Sequence, residues 1–171
     1  MTRPHDADSA MNRLPFGPRL RQPDPFSCGA SCVVVARMLL DQEYADRIEN
    51  HFSDEVIRLH ARLVRDTWFS RLGTPPWSVA WALEGVTARE HQVRRARWDR
   101  ILASRWPAAL LVGRSELPRH WVLILEADHE AMTVYNPGGG TLTTLARAAF
   151  EADRLDLGRW HKPLWLVAAD G

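Results

Sequence analysis

The sequence predicts an α+β fold in which helices come first and an antiparallel sheet follows. Three observations carry this. Residues 28–40 are apolar on most sides, as in a central buried helix. Short apolar runs at 108–112, 120–125, 131–135 and 163–168 read as strands. Asp128-His129-Glu130 joins two of those runs as a hairpin connection.

The helix at Cys28–Leu40 has Ser27 as its expected N-cap. Residues from Glu43 to about Trp68 read as two helical pieces joined near Ser53, where Ser-Asp-Glu is a start signal. In the second piece Ile57, Ala61, Val64 and Trp68 recur at helical spacing. Thr74-Pro75-Pro76 reads as a cap followed by an N1 proline. That helix is expected to turn Trp77, Ala80 and Trp81 inward and to stop near Gly85. His91–Val93 is a short strand and Trp98–Trp106 a further helix. Pro137-Gly138-Gly139-Gly140 ends the strand at 131–135. Thr143 or Thr144 is then expected to cap a helix through Phe150, before the last strand.

The chain has 171 residues, 46% apolar and 25% charged, enough for one domain with a substantial core. The polar, Pro-bearing residues 1–20 are expected to form a loose arm and 21–171 a single domain. The net charge of +1 gives no reason to expect nucleic acid or a membrane surface as partner. No run reaches the length of a membrane span, and the N-terminus lacks the apolar core of a signal peptide, so the cytoplasm is the expected compartment. No Cys/His cluster has metal-site spacing. Cys28 and Cys32 stand four apart in one helix, where a disulfide would be strained, so both are expected as thiols.

The chemistry concentrates in RQPDPFSCGASCVVVARMLL. Cys28 opens the helix, where the helix dipole favours thiolate. Gln22, six residues earlier, carries a side-chain amide able to donate to an oxyanion. A cysteine nucleophile needs a base, and the base an orienting group. His120 begins one strand and Asn136 ends the next. Their midpoint is residue 128, within the turn, so a regular hairpin puts them opposite each other. Their even separation also puts them on one face. The roles that follow are Cys28 as nucleophile, His120 as the base that takes its proton or holds it in a thiolate–imidazolium pair, Asn136 as its orienter, and Gln22 with the Cys28 N–H as oxyanion donors. The reaction class is acyl transfer through a thioester. Cys32 is the other thiol. It lies a turn deeper and ten residues from Gln22, where a small apolar side chain packs well.

These residues resemble the papain-like cysteine peptidase superfamily. Within it they are most similar to the C39 peptidases, the bacterial domains fused to bacteriocin-exporting ABC transporters, and their free-standing relatives. That family reads Gln, five residues, then Cys-Gly-x-x-Cys opening the central helix, its second cysteine not being the nucleophile. Gln22 and Cys28-Gly29-Ala30-Ser31-Cys32 match. His120-Trp121-Val122-Leu123 matches the family's His-Phe-Val-Val strand start, and Asn136-Pro137 its Asp-Pro. The resemblance spans about Arg21 to Ala168. Ser27 stands where the transporter enzymes have Asp. Asn136 replaces their Asp with the orienting residue of papain.

The resemblance implies a papain-like fold, its Cys-bearing helix packed on the C-terminal antiparallel sheet. It also implies a cysteine peptidase acting on a peptide or protein without metal or organic cofactor. Papain-like folds also serve as deamidases, transglutaminases and toxin-type amidases. A non-catalytic binding module on the same fold is the remaining alternative.

Overall fold

The computed structural model describes residues 11–65 and 73–171. Trp68, read above as part of a helical face, lies outside the described residues, as do residues 1–10 of the expected arm. Met11, Leu14 and Leu20, from the rest of that arm, are buried in the main core.

Helix α1 is Cys28–Leu40, as the apolar pattern predicts, and only Arg37 and Leu40 reach solvent. Ser27 does not cap it through its side chain. Asp24 instead shapes the approach, its carboxylate accepting the N–H groups of Phe26 at 2.7 Å and Ser27 at 2.9 Å. Helix α2 (Gln42–Ile48) is capped by Asp41, which accepts the Tyr44 N–H at 2.9 Å.

Helix α3 (Phe52–Leu63) buries Phe52, Val56 and Leu63. Ile57 is 50% exposed and Ala61 is exposed, so the inward face is one residue out of phase with the expected one. Helix α4 (Pro76–Thr87) begins with proline as expected, but Pro75 occupies the cap position. It turns Val79, Ala80 and Leu83 inward. Trp77 and Trp81, expected inside, are 61% and 67% exposed. At 3.6 residues per turn the stripe through 79, 80 and 83 cannot also contain 77 and 81.

The sheet is formed by β1 (Gln92–Arg95), β2 (Ser104–Arg114), β3 (Leu117–Ala127), β4 (Ala131–Asn136), β5 (Thr141–Ala146) and β6 (Lys162–Asp170). The spatial order is β1-β6-β2-β3-β4-β5, and every neighbouring pair is antiparallel. Helix α5 (Trp98–Ala103) precedes β2 and helix α6 (Arg147–Glu151) follows β5. Two expectations fail here. The helix read to Trp106 stops at Ala103, because β2 starts at Ser104. The Thr143–Phe150 segment is mostly β5, because its backbone pairs along the whole of β4.

Leu111, Trp121, Leu123, Leu125 and Tyr135 join the core around α1. Leu110, Val122, Ile124, Met132 and Val134 pack with Trp98 of α5 and Phe150 of α6. The period of two along β3 thus divides its side chains between two helical layers.

The β3–β4 hairpin sets the relation of His120 to Asn136. Near the turn, Ala127 pairs with Met132 and Glu126 with Thr133. Beyond a bulge, Ile124 pairs with Val134 and Leu123 with Tyr135. Continuing that register puts Val122 opposite Asn136. His120 is therefore the diagonal neighbour of Asn136 on the same face, not its direct partner as the midpoint argument expected. The extra residue, Leu125, is what keeps the two on one face. The register at the turn, carried through unbroken, would have set them on opposite faces.

Candidate active site

Helix α1 delivers Cys28 in its first turn, and the start of β3 delivers His120. Cys28 is 2% exposed and His120 7%. Both cysteines are free thiols. The backbone N–H groups of Trp121, the residue after His120, of Gly29 and of Cys28 itself favour negative charge on the Cys28 sulfur. An N-terminus without a side-chain cap leaves those helix N–H groups available to the sulfur.

His120 Nε2 and Asn136 Oδ1 are 2.8 Å apart. The same Oδ1 accepts the Gly138 N–H at 3.1 Å. A backbone N–H can only donate, so the atom facing it is the amide oxygen. That oxygen in turn needs a proton on His120 Nε2. The neutral ring then carries its lone pair on Nδ1.

The segment bearing Gln22 is tied to the turn after Asn136. The Gln22 N–H donates to the Pro137 carbonyl at 2.9 Å, and the Gly17 N–H to Gly140 at 2.7 Å. Tyr135 adds a bond from its hydroxyl to the Leu20 carbonyl at 2.6 Å. The Gln22 side-chain amide donates to the Asp24 carbonyl at 2.6 Å. Its Oε1 is buried with no hydrogen-bond partner among the described residues.

Burial, not the helix dipole, governs the resting thiol. Desolvation pushes Cys28 from 9.0 up to about 11. The N–H groups of Trp121, Gly29 and Cys28 act against this rise, and the charge of Asp24 adds to it. Burial thus runs against the thiolate expected from the helix N-terminus. Burial also lowers His120 below its ordinary 6.5, with the Asn136 hydrogen bond pulling the other way. Both shifts favour the uncharged forms, a thiol at Cys28 and a neutral imidazole at His120. Cys32 is fully buried and pushed well above 9.0 by desolvation, then by Cys28.

A recess of about 220 Å³ opens beside Cys28. The Gly73–Trp77 segment and residues Leu117–Arg119 form its sides, with Leu111 and Trp121 also lining it. Trp121 supports this wall. Its indole N–H donates to the Thr74 carbonyl at 2.9 Å. Thr74 and Trp121 also press on Gly29. A Cβ at position 29 would stand 2.8 Å from Thr74 Cβ and 3.1 Å from Trp121 Cδ1.

Sequence reasoning missed Asp24, Thr74 and the two roles of Trp121. A glycine directly after the cysteine is a sign of close approach that could have pointed to Thr74. Nothing local marks a strand tryptophan as a donor to a distant loop. Among the described residues no three His, Cys, Asp or Glu side chains are grouped to hold a metal ion, and no helix is long and apolar enough to cross a membrane.

No family model and no curated protein sequence matches the chain. Solved structures do. One is a double glycine motif protease from an AMS/PCAT transporter in complex with its leader peptide. It is 13% identical, covers 91% of this chain and 92% of its own, and has a TM-score of 0.55. Another is the peptidase domain of Streptococcus ComA, a bi-functional ABC transporter involved in a quorum sensing pathway. It is 14% identical, covers 88% of this chain and 96% of its own, and has the same TM-score. Agreement over nearly the full length of both, on a helical layer and a six-stranded antiparallel sheet, gives this chain the fold of the papain-like C39 peptidase domains.

Proposed function

We propose that the protein is a cysteine peptidase with Cys28 as nucleophile, His120 as base, Asn136 as orienter and Gln22 as oxyanion donor. The observation that supports this best is the hydrogen bond from His120 Nε2 to an Asn136 oxygen already fixed by Gly138. It leaves Nδ1 as the basic atom of a ring whose neighbour in the chain, Trp121, lines the same recess as Cys28. The solved structures of the same fold are peptidases by name.

The chemistry follows from a neutral pair. Nδ1 takes the thiol proton as sulfur attacks the scissile carbonyl carbon. The carbonyl oxygen becomes an oxyanion, held by the Cys28 N–H and by the one Gln22 amide hydrogen that the Asp24 carbonyl does not take. Collapse breaks the C–N bond, and the imidazolium returns the proton to the leaving amine. Water, deprotonated by the same nitrogen, then attacks the thioester, releasing the acid and restoring the thiol. Substrate binding displaces water from a site that is already nearly closed. Proton transfer therefore belongs to the attack itself, with no stored thiolate.

The test is a pool of unstructured peptides incubated with the protein and read by mass spectrometry for new termini. Cleavage is expected, and Cys28→Ala should abolish it while Cys32→Ala should not. Ammonia release without cleavage would make the protein a deamidase or transglutaminase. An active Cys28→Ala would remove the thiol mechanism altogether.

A further inference from the structure

We infer that the recess beside Cys28 is a specificity pocket for one bulky apolar side chain near the scissile carbonyl, so that this chain does not select a glycine pair. The inference rests on the peptidase reading above and names its substrate class.

The recess adjoins the sulfur, so whatever fills it lies within a residue or two of the attacked carbonyl. Its volume of about 220 Å³ falls below the roughly 300–1,000 Å³ of sites that enclose a whole small molecule. It suits a single side chain of a longer chain. The lining is apolar: Pro75, Trp77, Leu111, Leu117 and Trp121, with Arg119 at the side. Two of these, Trp77 and Leu117, are more than half exposed in the free protein. Covering them removes apolar surface from water, which a glycine cannot do because it has no side chain to insert.

The recess is also built, not a gap between loose loops. The Trp121 indole N–H holds the Thr74 carbonyl at 2.9 Å, and Gly29 lets that wall close on α1. One of the solved structures with this fold is named for a double glycine motif. Such a pair would leave this recess empty.

The experiment measures Cys28 labelling by three peptidyl acyloxymethyl ketones. They present Gly-Gly, Leu-Gly or Gly-Leu before the ketone, and iodoacetamide serves as the reference alkylator. One leucine-bearing probe should label faster than Gly-Gly by about tenfold or more, the worth of burying one apolar side chain. Normalised to each variant's own iodoacetamide rate, that advantage should shrink in Trp77→Ala and in Leu117→Asp. Both positions are exposed, so folding is not at stake. A Gly-Gly probe that labels as fast, or an advantage unchanged in both variants, overturns the pocket and leaves the peptidase reading standing. If no peptidyl probe outpaces iodoacetamide, the peptidase reading falls and the pocket with it.

Discussion

His120 and Asn136 meet as diagonal neighbours across a bulged hairpin, at 2.8 Å. The contact depends on Asn136 Oδ1 being fixed by Gly138, so it orients the ring and does not itself move a proton. Asn136→Ala should slow peptide cleavage by about tenfold, the worth of one good hydrogen bond. His120→Ala, which removes the base, should cost about a hundredfold to ten-thousandfold. Steady-state kcat/KM of the two variants checks the order. An Asn136→Ala rate as low as that of His120→Ala would refute the division of roles.

The protonation states give a pH prediction with two signs. Below pH 6.5 the unfolded chain protonates its histidine at 120 while the folded chain does not, so stability falls as pH falls. Above pH 9.0 the unfolded thiol at 28 ionises while the folded one holds its proton to about 11, so stability also falls as pH rises. Urea midpoints should flatten on the acid side in His120→Gln and on the alkaline side in Cys28→Ala. Iodoacetamide labelling of Cys28 in the free protein should keep rising above pH 9. A plateau from mild acid upward would indicate a preformed thiolate–imidazolium pair.

Gly29 has no room for a methyl group. Its Cβ would press on Thr74 Cβ at 2.8 Å, Thr74 Oγ1 at 2.9 Å and Trp121 Cδ1 at 3.1 Å. Gly29→Ala must push the Thr74 wall outward and strain its bond to Trp121. The expected cost is about 1–3 kcal/mol of folding stability. Urea denaturation measures it, and a variant as stable as the parent would show that the wall yields freely.

Much of this was legible beforehand. The helix Cys28–Leu40 announces itself because it is apolar nearly all round and bounded by Pro25 and Asp41. The spacing of His120 and Asn136 was read correctly as a same-face pair, though by a register that the structure corrects. A bulge has no signature in HWVLILEADHEAMTVY, because every residue from Trp121 to Leu125 is apolar and a slip of one costs nothing in the pattern. Helix faces failed where large apolar residues stand outside the core. Ile57, Trp77 and Trp81 pull the expected stripe away from Val56, Val79 and Leu83. The Thr-rich segment at 141–146 is a strand because β4 offers it a pairing edge, a tertiary cause that local capping signals cannot reveal. The burial of the thiol was not legible for a similar reason. A dipole can be inferred from position in a helix, whereas the burial that raises the Cys28 thiol is a tertiary property.

The bonds from Gly17 to Gly140, from Gln22 to Pro137 and from Tyr135 to Leu20 have a mechanical meaning. They splice the strand of chain leading to the nucleophile onto the turn beyond Asn136. The segment bearing Gln22 and the stretch around Asn136 are thus joined at three points, two of them through backbone alone. Gln22 and Asn136 can therefore shift only together, since displacing either segment breaks the bonds that tie it to the other.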